Sequence, residues 1–330
     1  MPEGPLEKLP REGLQRPHWS GHLAIARTDH WIKNVFVLPG IVVALSLEPQ
    51  KFNLEIGWPI FLGLLATCLI ASSNYTLNEV LDAPFDRRHP HKRNRPVPAG
   101  LVSIPGAYLQ WLGLMVAGIV SAWFVSLPCA ITMVVFWLMG CVYNVPPMRS
   151  KDLPYLDVVS EAVNNPLRFL AGWWMVQPAA IAPASLVLSY WMIGCYFMAL
   201  KRFAELRSID DAATAAAYRK SFSHYTPERL LVSVTFYGSA AMLFFGAFIM
   251  RYRMELILAF PLVALVMAIY MRVAFKEDST VQAPERLFQE KLLMCVVLLC
   301  TLVLCVLLFL DLPLLYEIFA PTAPLPVAVL

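Results

Sequence analysis

The 330-residue sequence predicts an all-α polytopic membrane protein, a bundle of about nine transmembrane helices around a cavity open to the cytoplasmic side. Four observations carry this. Hydrophobic residues make up 58% of the chain and charged residues only 15%, against about 25% charged in soluble domains. Mean hydropathy is +0.61. Nine segments are mostly apolar over close to the ~20 residues that a bilayer crossing needs. Lysine and arginine also gather in alternate connections between those segments, as they do on the cytoplasmic side.

Residues 1–25 are polar and marked by Pro2, Pro5, Pro10 and Pro17, which predicts a disordered or surface-lying tail. No cleavable signal peptide is evident. The spans are expected near 32–48, 58–81, 105–126, 128–144, 156–175, 180–204, 229–250, 255–275 and 291–311. The first contains Pro39 and Gly40, and the fifth carries polar residues, so both depart from a plain apolar run. The last reads "LLMCVVLLCTLVLCVLLFL" and suits lipid on every side. Residues 312–330 are apolar and broken by prolines, a second tail for the outer interface. Cys68, Cys129, Cys141, Cys195, Cys295, Cys300 and Cys305 all lie in apolar runs without a CxxC pair, and read as packing residues.

Nine spans place the termini on opposite sides. Lys8, Arg11, Arg16, Arg27 and Lys33 precede or open span 1. The loop after span 2 has Arg87, Arg88, Lys92, Arg93 and Arg95, and the loops after spans 4, 6 and 8 are also basic. The opposite side has only Lys51, Arg251 and Arg253. The N-terminus, the long basic loops and the active site are therefore expected on the cytoplasmic side of the membrane, with a bacterial inner (plasma) membrane as the expected location. A net charge of +3 is too small to point to nucleic acid. A homo-oligomer is compatible with the sequence but not specified by it.

Span 2 ends in "NYTLNEVLDAPFDRRHPHKRNRP". Asn74, Asn78 and Asp82 are four apart and share a helical face, with Asp86 beyond Pro84. Carboxylates this close repel one another, and a cation relieves the repulsion. Magnesium fits, because it takes oxygen ligands and keeps positions for phosphate and water. Span 5 opens with "YLDVVSEAVNNPLRFLAG", where Asp157 and Glu161 are again four apart and Asn164, Asn165 and Arg168 follow. An arginine so deep needs an anionic ligand, a wet cavity, or an ion pair with Glu161 or Glu205. Bases surround both acidic sets: Arg87, Lys92, Arg93 and Arg95 after the first, Lys151 before the second, and Lys201 and Arg202 at the end of span 6. Arginine and lysine both suit phosphate oxygens. Two acidic helix mouths over an apolar bundle predict a site for a magnesium-bound pyrophosphate and a lipid-tailed substrate. Asp210, Asp211 and "AATAAAYRK" form either a cap over that site or a plain surface helix.

"NEVLDAPFD" followed by "KRNRP" resembles the first aspartate-rich motif, NxxxDxxxD, of the UbiA superfamily of intramembrane prenyltransferases. Asp157 and Glu161 fall where that superfamily has its second acidic motif. The resemblance spans about 25–295, so residues 26–311 are expected to form a UbiA-like transferase domain. "DHWIKNVFVLPG", "DRRHPHKRNRPVPAG", "LKRFAELR" and "YRKSFSHYTPERL" resemble one branch, the decaprenyl-phosphate phosphoribosyltransferases. The segment from Glu161 through Asn164 and Asn165 is more polar than that branch's pattern.

The resemblance implies transfer of phosphoribose from phosphoribosyl pyrophosphate to a polyprenyl phosphate, with Mg2+ as cofactor. It implies that Asn78, Asp82, Asp86 and Asp157 hold the metal, the three aspartates being the catalytic set. Asn74, Lys33, Lys92, Arg95, Lys151, Glu161, Asn165, Arg168, Lys201 and Arg202 would then contact the substrates. Two other readings stay open. One is prenylation of an aromatic or other small acceptor from a polyprenyl diphosphate, with Tyr143, Trp173, Trp174, Tyr190 and Trp191 beside the allylic cation. The other is a non-catalytic lipid-binding or transport protein, which the odd span number and the acids at helix mouths disfavour.

Overall fold

The structure is a computed structural model describing residues 18–87, 92–209, 211–282 and 284–320. Every regular element among these residues is helical. Helix α1 is Trp19–Ile25, and a 3-10 segment, Thr28–Val37, leads into α2, Leu38–Leu47. Then come α3 (Gly57–Asp86), α4 (Ile104–Trp123), α5 (Leu127–Asn144), α6 (Leu156–Ala162) and α7 (Asn164–Val176). The second half holds α8 (Ala184–Arg207), α9 (Ala212–Tyr218), α10 (Pro227–Tyr252), α11 (Phe260–Ala274), α12 (Lys291–Phe309) and α13 (Pro313–Ile318).

Local chemistry starts these helices where the sequence allows. Ser126 Oγ accepts from the Cys129 amide at 3.3 Å and Pro128 lies in the first turn of α5. Thr226 does the same for α10, accepting from Arg229 at 3.2 Å ahead of Pro227. Helix α3 continues through Pro84. Its 30 residues make about 45 Å at 1.5 Å per residue, more than the ~30 Å of a hydrocarbon layer. The helix is thus long enough for its last turns, with Asp82 and Asp86, to stand beyond the apolar slab.

Eight helices among the described residues are long and apolar enough to cross a membrane, and the protein is an integral membrane protein. The fifth expected span differs: it is split into α6 and α7 at Val163. Pro166 has no amide hydrogen and cannot bond the Ala162 carbonyl, so the helix is interrupted where the polar residues lie. At the N-terminus, residues 19–25 were expected in a loose tail but form α1. Ile25 is fully buried in a small cluster with Val80, Ala83, Val97, Val102 and Ala107. At the other end, α13 occupies part of the expected tail, and Glu255, fully buried, accepts from the Leu312 amide at 3.3 Å and the Tyr316 hydroxyl at 3.4 Å.

Two apolar cores hold the bundle. One joins α2, α3, α5 and α7 through residues such as Ile41, Ile70, Met133 and Phe169. The other joins α6, α8, α10 and α11 through Val158, Leu200, Leu230 and Val273. Helices α2 and α7 cross backbone to backbone: a Cβ on Gly40 would strike the Phe169 carbonyl, and one on Gly172 the Val37 carbonyl. This crossing brings Arg168 of α7 to Asn34. Gly172→Leu is therefore expected to push the helices apart and lower thermal stability by several degrees. An unchanged melting temperature would refute the close crossing.

Candidate active site

The end of α3 meets the loop after α5. Asp82 Oδ1 accepts from Lys151 Nζ at 2.6 Å and from Arg149 Nη2 at 2.9 Å, while its Oδ2 accepts from Asn78 at 3.1 Å. Asn144, at the end of α5, takes Asn78 and Lys151 on its Oδ1 at 2.6 and 2.9 Å. The loop reaches α3 through left-handed backbone at Arg149, φ 21°, a conformation few non-glycine residues adopt. Asp86 accepts from Arg95 at 2.7 Å. Glu79 is buried on another face, where it accepts the Val97 amide at 3.1 Å and anchors the loop that carries Arg95.

Lys151 is nearly enclosed. Burial pulls its pKa below the ordinary 10.5, with Asp82 opposing. Burial lowers Lys92 likewise, with Asp86 acting against it. Its ammonium sits 5.1 Å from the Tyr218 ring centroid.

The second set centres on Arg202 of α8, which is fully buried. Its guanidinium donates to Asp157 at 3.1 Å, to Glu161 at 2.7 Å and to Glu205 at 3.0 Å. Asp157 has no exposed surface. Its Oδ2 also accepts from Arg219 at 3.3 Å and Ser221 at 3.1 Å, and its Oδ1 from the Tyr225 hydroxyl at 2.5 Å. Burial pushes the Tyr225 phenol pKa upward and Asp157 adds to it, so this hydroxyl keeps its proton and donates.

The two sets belong to one network. Tyr143 of α5 donates to Glu161 at 2.8 Å, and Lys151 Nζ lies 5.9 Å from the Tyr143 ring centroid. Arg219 donates both to the Lys151 carbonyl, at 3.4 Å, and to Asp157. The acids of α3 and α6, far apart in sequence, are thus linked through Lys151, Tyr143 and Arg219.

Arg168 lies deeper and is also buried. It donates to Asn34 Oδ1 at 2.9 Å and the Asn164 carbonyl at 3.2 Å, with Phe136 beneath it at 4.8 Å. Glu161 and Glu205 are taken by Arg202, so the ion pair considered for Arg168 does not form, and no other carboxylate pairs with it among the described residues.

Several expected contacts lie elsewhere. Asp157, expected on the metal, is fully buried and accepts from four donors, Arg202, Arg219, Ser221 and Tyr225. Asn74 donates to the Phe136 carbonyl at 3.0 Å and packs on Gly140, tying α3 to α5. The Asn165 amide packs on Gly194 of α8, where a Cβ would come within 2.5 Å. Lys33 is half-buried on the 3-10 segment that carries Asn34. Lys201 is half-buried, with its charge acting on Glu161 and Glu205. Arg88 and Asp210 lie outside the described residues. Sequence reasoning gave no site role to Arg149, Asn144, Arg219, Ser221 and Tyr225, and assigned Tyr143 to a ring contact. The alternation of bases with polar residues in "YRKSFSHYT" was the available signal for the last three of the five.

The sequence profile described as the UbiA prenyltransferase family matches residues 36–296, most of the chain. The chain belongs to the UbiA prenyltransferase family. Among its curated relatives, the decaprenyl-phosphate phosphoribosyltransferase of Mycolicibacterium smegmatis is 30% identical over 246 residues, 73% of each chain. That of Mycobacterium tuberculosis is 31% identical over 233 residues, 69% of this chain and 73% of its own. A UbiA homologue from Archaeoglobus fulgidus, solved with GPP and Mg2+, superposes with a TM-score of 0.67 at 21% identity, covering 88% of this chain and 98% of that one. The protein is therefore a membrane transferase of UbiA fold.

The side chains at the end of α3 offer the oxygen donors that a divalent metal such as the Mg2+ of the Archaeoglobus fulgidus structure takes. Asp82 and Asp86 lie one turn apart beside Asn78, all with oxygen donors. No cluster of three or more acidic, histidine or cysteine side chains able to hold a metal occurs among the described residues. Magnesium suits such a site, since it binds through one or two carboxylates and fills its shell with substrate phosphate and water.

Proposed function

We propose that this enzyme transfers phosphoribose from phosphoribosyl pyrophosphate to a polyprenyl phosphate on the cytoplasmic face of the membrane, releasing pyrophosphate. One observation carries the choice: Arg168, a buried cation without a carboxylate partner among the described residues, below a network already rich in bases. A buried guanidinium calls for an anion. The ionic network above can take a pyrophosphate, so Arg168 supplies a place for a second, lipid-borne phosphate. Prenylation of a neutral aromatic acceptor involves one phosphorylated substrate; phosphoribosylation of a lipid phosphate involves two. The names of the mycobacterial relatives support the same reading.

In this reaction a phosphate oxygen of the lipid forms a bond to ribose C1. The C1–oxygen bond to pyrophosphate breaks, and pyrophosphate leaves with the electron pair. The nucleophile is already anionic, so no general base is required. Asp82, Asp86 and Asn78 would hold magnesium, which offsets charge on the departing pyrophosphate. Lys92, Arg95, Arg149 and Lys151 supply fixed positive charge around it. Asp157, Glu161 and Glu205 fix Arg202, and Asp157 fixes Arg219, so that neither reorganises during the reaction.

Purified protein with Mg2+, ribose-labelled phosphoribosyl pyrophosphate and polyprenyl phosphate is expected to carry label into the lipid fraction. No such label, with prenylated product from a polyprenyl diphosphate and an aromatic acid, would favour the other transferase reading. Arg168→Gln is expected to raise KM for the lipid phosphate by about 10-fold to 100-fold, the scale of a charged hydrogen bond. An unchanged lipid KM would remove Arg168 from the acceptor site.

Lys151 also predicts a pH effect. Its lowered pKa means that it loses its proton as pH rises, before an ordinary lysine at 10.5 would. The basic limb of kcat/KM is expected to fall below that value and to move upward in Lys151→Arg, whose guanidinium keeps its charge. A limb at the same pH in both proteins would exclude Lys151 as the titrating group.

A further inference from the structure

A second hollow, of about 300 Å³, opens beside the ionic network and none of the roles above accounts for it. One side is formed by Glu205 of α8 and Tyr218 of α9. The other is the segment after α11, with Asp278, Thr280, Arg286 and Gln289. All eight lining residues carry a hydrogen-bonding side chain. The contrast is with the larger groove, about 470 Å³, between α5 and α6, whose walls are nearly all apolar, Met139, Val142 and Leu156 among them.

The walls are held in place. Gln282 donates to the Ala204 carbonyl at 3.2 Å and accepts from Ser208 at 3.5 Å, pinning the far segment to α8. Lys276 and Glu290, at the two ends of that segment, pair at 2.7 Å. The hollow also touches the reaction site. Glu205 is a partner of Arg202, Tyr218 lies under Lys92, and the charges acting on Lys92 include Asp86, Arg95, Glu205 and Arg219.

The lining chemistry selects its guest. Carboxylates at 205 and 278 accept from hydroxyl groups, while Thr280 and Gln289 both donate and accept. Arg286 is the one lining cation among the described residues and suits a phosphate monoester. Vicinal hydroxyls with one phosphate match this set, whereas an isoprenoid chain offers it nothing.

We propose that this hollow is the subsite for the ribose 5-phosphate end of the donor, whose pyrophosphate end lies toward Lys92 and Asp86. Arg286 takes the 5-phosphate, and Glu205, Asp278 and Gln289 take ribose hydroxyls. The proposal rests on the phosphoribosyl reading above and assigns the residues that distinguish a sugar-phosphate donor from a prenyl diphosphate.

Calorimetric titration of the detergent-solubilised full chain with ribose 5-phosphate tests it, together with KM values for both substrates. Arg286→Ala is expected to weaken ribose 5-phosphate binding at least tenfold and to raise KM for phosphoribosyl pyrophosphate by a similar factor. KM for polyprenyl phosphate is expected to stay within about twofold, and Gln289→Ala to show a smaller shift in the same direction. Wild-type turnover with equal ribose 5-phosphate binding in all three proteins, or with none in the wild type, overturns the subsite and leaves the reaction standing. No labelled lipid from the wild type overturns the reaction and this donor assignment with it.

Discussion

Asp82→Ala is expected to lower kcat at least a hundredfold, the scale of losing a dominant electrostatic group, while the bundle stays assembled. The fold survives because Asp82 is partly exposed and its partners have others: Lys151 keeps Asn144 at 2.9 Å, and Arg149 keeps Asp152 at 3.2 Å. Turnover is expected to be lost, because under the proposed metal assignment α3 would then offer a single carboxylate, Asp86. Asp82→Asn, with the same shape, separates charge from packing and is expected to be nearly as inactive. The measurements are labelled-lipid formation and thermal unfolding in the same detergent. Near-normal turnover in either variant would sink the metal assignment.

Arg202→Gln is expected to have the largest effect on stability. Arg202 is buried and balances Asp157, Glu161 and Glu205, and its loss leaves three carboxylates without their shared cation. Breaking a buried pair by removing one partner costs about 3–5 kcal/mol. Arg219 still reaches Asp157 but makes no ion pair with Glu161 or Glu205. Low recovery of folded protein, or a melting temperature many degrees lower, is the expected outcome. Arg202→Lys, which keeps a charge but loses the three-way fork, is expected to fall between the two. A melting temperature for Arg202→Gln equal to that of the wild type would mean that the three acids do not depend on it.

The first acidic set was legible because its geometry is local. Four-residue spacing on a single helix puts Asn78 next to Asp82 whatever the rest of the chain does, and the pair is found at 3.1 Å. The second set was legible only as a list. Asp157 and Glu161 do share Arg202, but spacing on α6 could not say that Asp157 would be sealed off by Ser221 and Tyr225 from the loop before α10. Tyr143 is similar: its place in an apolar run suggested a ring contact, and its hydroxyl found Glu161 only because α5 and α6 pack together.

Composition, span length and residue spacing by themselves determined the class of the protein, the location of the spans other than the fifth, and the acidic end of α3, since hydrophobic burial and helical periodicity act within a segment. Tertiary structure decided which base meets which acid. Arg202 has three acids and Arg168 none among the described residues, although Arg168 is much the nearer of the two in sequence to Asp157 and Glu161. That outcome depends on helix crossings such as that of α2 and α7 at Gly40 and Gly172 and on where Pro166 interrupts the fifth span, and no local rule sets the distances between segments that meet only in the folded chain.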